Sequence, residues 1–120
     1  MLNKKLFFSI LFLMITATIH LSAQQRAEFS TGTYILSGFD HVINFRADGT
    51  FVRYRQGQTS AKIEGSWSVN GANLMLRYNS KYTGTSNAFK QLAGTSQVFG
   101  ITTTTSFERT GSNPQTWLRF

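Results

Sequence analysis

Apolar and polar positions alternate most regularly from Ile63 to Tyr78, with the period of two that a strand buried on one face requires. Two alternating runs flank Asn70-Gly71, a pair that tolerates the positive φ of a tight hairpin turn. With a two-residue loop, Val69 faces Ala72, Trp67 faces Leu74, Gly65 faces Leu76 and Ile63 faces Tyr78, and Glu64 lies opposite Arg77 on the other face. A four-residue loop, Asn70 to Asn73, keeps both faces but sets Ser66 opposite Arg77. In either register the segment is antiparallel sheet with one wet and one buried face.

Turn signals recur at intervals of roughly 8–12 residues, the spacing of small all-β sandwiches and barrels. Residues 24–31 read as a polar lead-in, 32–36 as a first strand and Ser37 to Asp40 as a turn. His41 to Arg46 and Thr50 to Gln56 form a second and a third strand. They are joined at Ala47-Asp48-Gly49, where Gly49 suits the left-handed residue of a three-residue loop with a bulge. That loop sets Phe45 opposite Phe51 and Ile43 opposite Arg53. Gly57 to Ser60 turns into the strand that ends at Val69; Leu74 to Tyr78 follows, then a polar loop from Asn79 to Ser86. Residues 87–93 read as a short helix capped by Ser86 and stopped at Gly94, or as a strand or irregular loop. Gln97 to Arg109 reads as β, with Gly100 marking a bulge or turn within it, and Gln115 to Phe120 as a short terminal strand. The fold class is therefore all-β, a small antiparallel up-and-down barrel of about seven or eight short strands with room for one short helix near residues 87–93.

The first residues differ in kind. Lys4 and Lys5 precede an apolar stretch from Leu6 to Ile19, and His20-Leu21-Ser22-Ala23 leads into polar sequence. This is the pattern of a secretory signal peptide cut near Ala23, and the stretch is shorter than the roughly 20 residues of a spanning helix. The expected location is extracytoplasmic, periplasmic or secreted, with 24–120 as a single domain and no stable membrane insertion after cleavage. The chain has no cysteine, so neither a disulfide nor a lipidated cysteine is available. Its formal net charge is +7, of which Lys4 and Lys5 leave with the leader. A basic protein outside the cytoplasm meets anionic head groups, acidic glycans or acidic small molecules rather than nucleic acid, unless the charge serves solubility alone. A monomer is the expected state.

Two segments carry a resemblance. INFRADGTFVRYRQG, residues 43–57, followed by IEGSWSVNGANLMLRY, residues 63–78, resembles the small bacterial lipocalin-like domains. Their pattern is a strand ending in Phe-x-x-Asp-Gly-Thr-Phe, then Gly-x-Trp-x-Val and a short turn into Leu-x-Leu. Phe45, Asp48, Gly49, Thr50, Phe51, Gly65, Trp67, Leu74 and Leu76 occupy those positions, Phe107-Glu108-Arg109 is similar to the closing strand, and Gly32-Thr33-Tyr34 carries Tyr for the opening Trp. The resemblance implies a lipocalin-like barrel over residues 32–109. It implies no single function, since this scaffold hosts binders, inhibitors and proteins of no assigned role.

The inventory of reactive side chains is short. His41 is the one histidine beyond the leader, and with no cysteine an ordinary zinc or copper site is not available, nor is any cofactor implied. Asp40 and His41 are neighbours, but neighbours on a strand point to opposite faces, which leaves a turn-edge Asp beside a partly exposed His. No two carboxylates are placed as a glycosidase pair, and there is no phosphate loop or nucleophile elbow. An enzyme is not expected.

Binding has more to rest on. Arg53 and Arg55 share a face with Phe51, so an inward Phe51 brings both arginines into the barrel near its mouth. A buried arginine needs an anion, either Glu64, Glu108 or a ligand's carboxylate or phosphate. A bulge after Phe51 would instead turn both arginines to solvent and pack Val52 and Tyr54, the ordinary fate of arginine. Trp67 reads as core, or else as pocket lining. The ligand-binding candidates are thus Arg53, Arg55, Phe51 and Trp67, for a small hydrophobic or amphipathic molecule, anionic where it pairs with the arginines. The competing expectation is a protein-interaction or inhibitor module with a filled barrel, working through loops such as Asn79 to Ser86.

Overall fold

The structure, a computed structural model, describes residues 29–120. The leader and its cleavage site near Ala23 lie outside the described residues. Eight strands, β1 Gly32–Leu36, β2 His41–Phe45, β3 Thr50–Arg55, β4 Gln58–Asn70, β5 Asn73–Thr83, β6 Ser96–Thr103, β7 Ser106–Arg109 and β8 Gln115–Arg119, pair in sequence order. β8 returns to β1 and closes the ring. Every pairing is antiparallel. The one helix among the described residues, α1 Asn87–Leu92, lies between β5 and β6. The fold is a small closed up-and-down barrel, as the alternation and turn spacing predict.

The β2–β3 hairpin has the predicted register, Phe45 opposite Phe51 and Ile43 opposite Arg53. Gly49 takes φ +88° in the loop, and Asp48 Oδ1 accepts from the Thr50 amide at 3.0 Å and its hydroxyl at 2.6 Å. In the β4–β5 hairpin Val69 pairs with Leu74, Trp67 with Leu76 and Ser66 with Arg77. This is the register of the longer loop. Gly71 alone takes a positive φ, +62°, whereas the Asn-Gly turn of the shorter loop needs it at both central residues. Glu64 consequently does not face Arg77; it lies 3.9 Å from Lys62 on the outer surface.

Three further expectations are corrected. Residues 79–83 are not loop, because β5 runs on to Thr83 and pairs Tyr82 with Ile63 and Thr83 with Lys62. Gln97 to Arg109 is not one strand turned at Gly100. It is a β6–β7 hairpin that turns at Thr104-Thr105, where Thr103 Oγ1 accepts from the Thr105 amide at 3.2 Å. The lead-in ends in an apolar plug: Phe29 is 4% exposed and packs against Tyr34, Phe45, Trp67 and Phe107 with ring centroids 5.2–6.1 Å apart.

Phe29 closes the lower end, which carries the 46–49 loop and the β4–β5 and β6–β7 turns. Phe89 of α1, fully buried, closes the upper end. Between them Tyr34, Phe45, Phe51, Phe99, Phe107 and Trp117 fill the interior, all at 2% exposure or less. Each such ring stabilises the fold by about 1.5–3 kcal/mol through burial, with roughly another 0.5–1.5 kcal/mol from an edge-to-face or offset pair. A ligand swallowed whole would have to displace these rings. Gly65 is part of the same packing. A Cβ there would meet the Arg77 carbonyl oxygen and lie 2.7 Å from Phe51 Cζ, so the Phe51 ring rests on bare backbone.

Candidate functional site at the helix-capped mouth

Strand β3 sends Phe51 and Arg53 inward by simple alternation, since its pairing with β4 runs unbroken from Thr50–Ser66 to Tyr54–Lys62. The predicted bulge after Phe51 is absent. The irregularity falls instead between Tyr54 and Arg55, which pairs with Gln58. Arg53 is therefore inside, 4% exposed, while Arg55 emerges at the upper rim with its side chain 42% exposed.

The guanidinium of Arg53 is held entirely by neutral groups. Its Nε and Nη2 donate to His41 Nδ1 at 3.2 and 3.1 Å, and its Nη1 donates to the Tyr78 hydroxyl at 2.9 Å. The Tyr78 hydroxyl in turn donates to Gln97 Oε1 at 2.7 Å. The ring of Trp117 lies 5.1 Å beneath the guanidinium carbon, a cation–π contact. Neither ion pair among the described residues includes Arg53: one joins Arg55 to Asp40 at 2.8 Å, the other Lys62 to Glu64. A cation this deep is costly without an anion, and Trp117, His41 and Tyr78 offset only part of that cost.

The neighbouring titratable groups register the charge. Burial, with the Arg53 cation beside it, pushes His41 down to about 4, so its imidazole is neutral at pH 7. Burial raises the Tyr78 hydroxyl, against the opposing pull of Arg53. The hydrogen bond from Arg55 holds the Asp40 carboxyl below its usual range.

Outside this layer lies a cleft of about 410 Å³, lined by His41, Arg55, Gln58, Ala61, Thr85, Ser86, Asn87 and Ala88. Helix α1 forms its far wall. Ser86 caps the helix by accepting from the Phe89 amide at 3.4 Å, and Phe89 meets the His41 ring edge-on at 5.8 Å. Phe39, 66% exposed, stands on the turn just before His41.

The four sequence candidates do not form one cluster. Arg53 and Arg55 share the upper end, the first inside and the second on the rim. Phe51 lies deeper, under Tyr78 at 5.2 Å. Trp67 belongs to the lower end, half-buried beside Phe29 and donating from Nε1 to the Arg46 carbonyl at 2.9 Å. The sequence reading makes His41 a partly exposed histidine at the start of a strand, yet it is the acceptor for Arg53. The pairing of Ile43 with Arg53 carried that signal, because His41 shares a face with Ile43.

The chain matches no family model, no curated protein and no solved structure. Fold and site therefore rest on geometry and residue chemistry alone.

Proposed function

We propose that the protein is an extracytoplasmic, lipocalin-like binder of a small amphipathic molecule whose anionic head is taken at the upper mouth. The observation that carries this reading is the buried Arg53 guanidinium with no carboxylate beside it. The cleft in front of it is rich in donors, and the exposed Phe39 on the same rim offers a surface for an apolar tail. The packed interior favours a ligand seated at the mouth over one enclosed in the barrel. The extracytoplasmic setting rests on the leader pattern of Lys4 to Ala23.

Thermal melting tests this. Octanoate or octyl phosphate at tenfold over its Kd stabilises a protein by about 1.4 kcal/mol, or roughly 6–10 °C for a domain of this size. Octylamine should give nothing, and Arg53→Gln should remove the shift. Equal shifts with octylamine, or none with either anion, would overturn the proposal.

A second reading, an interaction module with a filled barrel, is favoured by one observation. Met75 and Val98 face each other across β5 and β6 on the outer surface and are 44% and 49% exposed. It predicts a protein partner that co-purifies and is lost on Met75→Lys.

A further inference from the structure

We propose that His41 is the anchor for the ligand's head group, acting as a neutral donor through Nε2–H to a carboxylate, with Arg53 behind it as the positioning residue. This rests on the mouth-binding reading above and specifies its chemistry. The argument starts from what arginine cannot do. A guanidinium has only donors, so an atom that receives two of its hydrogen bonds must be an unprotonated acceptor. Nδ1 of His41 is that atom. A neutral imidazole carries one ring proton, and it is thereby confined to Nε2.

Nε2–H has no acceptor among the described side chains, and His41 is one wall of the open cleft. The imidazole thus stands between a buried cation and solvent, one nitrogen on the cation and the other available outside. The Arg53 charge draws electron density toward Nδ1 and makes Nε2–H a stronger donor than that of a free histidine. The head group then feels a positive field without Arg53 having to leave its place.

The charges facing the imidazole select the class of anion. They are Arg53 and Arg55 from β3 and Asp40 from the preceding turn, while Tyr78 of β5 is neutral and α1 brings Asn87, Ala88 and Phe89 but no charge. Two cations and one carboxylate leave a single positive charge, which one carboxylate neutralises. Protonation belongs to the same picture. His41 stays neutral until about pH 4, so the anchor keeps its form across the range in which fatty acids are ionised.

The test uses octanoate and the full protein. Asn at position 41 keeps an acceptor for Arg53 in its Oδ1, while its shorter amide ends one bond before the place of Nε2 and puts no donor there, so His41→Asn removes the anchor and spares its support. Long-range proton–nitrogen spectra should show His41 as the Nε2–H tautomer at pH 7, with the Nε2 proton shifted by octanoate. The octanoate Kd should rise about tenfold in His41→Asn, the value of one hydrogen bond to a charged group. Equal affinity in the two proteins, or an Nδ1–H tautomer, would overturn the anchor and leave mouth binding standing. If octanoate fails to bind the wild type at all, the reading beneath it falls as well. Should His41→Asn fail to fold, the tautomer and the octanoate-induced shift in the wild type decide the matter by themselves.

Discussion

Acidification is the sharpest probe of the upper layer, because His41 alone among the shifted groups changes charge between pH 6.5 and 4. Below pH 6.5 the unfolded chain's histidine takes a proton that the folded protein refuses until about pH 4. The unfolded state then binds more protons than the folded one, so stability falls as pH falls through that window and levels off beneath it, as far as this group is concerned. A shift from 6.5 to about 4 sets a ceiling of about 3 kcal/mol. The ring is partly exposed, and solvent screening reduces this to about 1.5 kcal/mol. Asp40 and Asp48, both held below the ordinary carboxyl value of 3.8, keep their charge throughout the window and weaken the fold only at lower pH. Urea unfolding at half-unit steps from pH 7 to 4 measures the effect. With a slope of about 1.5 kcal/mol per molar, the midpoint should fall by about 1 M in the wild type. It should stay flat in His41→Asn, which has nothing to titrate at that position. Parallel decline of the two proteins would refute the placement of His41 against a buried cation.

Gly65→Ala drives a methyl into the Arg77 carbonyl and the Phe51 ring, and should cost about 3 kcal/mol by chemical denaturation, since backbone on one side cannot yield. Phe29→Ala removes the lower plug and should cost about 3–4 kcal/mol, with the Trp67 fluorescence shifting to the red as its ring loses a neighbour at 5.5 Å. Ser86→Ala deletes the cap of α1 and should cost about 1 kcal/mol while leaving the far-ultraviolet β signal unchanged. The Tyr34 hydroxyl is pushed by burial up to about 12, so an alkaline ultraviolet titration should show it ionising about two units late, alongside the likewise delayed Tyr78, and Tyr34→Phe should delete its step and leave that of Tyr78.

The sequence was most legible where turn chemistry leaves one choice. Ala47-Asp48-Gly49 sets the β2–β3 register, and that register aims Arg53 inward. It was least legible where pairing overrides composition. Asn79 to Thr83 looks like loop because every side chain is exposed, and only the partner strand makes it β. The Thr104-Thr105 turn has none of the usual turn residues, since neighbouring hydroxyls supply its hydrogen bonds. The register shift beyond Tyr54, where Arg55 pairs with Gln58 across the Gln56-Gly57 turn, separates the fates of Arg53 and Arg55, and no residue announces it. Within the candidate site, Arg53 was visible through alternation. His41 was hidden by its place at a strand end, where exposure is the usual outcome.

The seam between β1 and β8 joins the first strand to the last. Until β8 is in place, seven strands form an open ribbon with two unsatisfied edges, each able to recruit a second molecule. Closure is a long-range event and so a slow one. The crowded moment for this protein is thus its folding rather than its folded life, when the completed ring offers no bare strand to a neighbour.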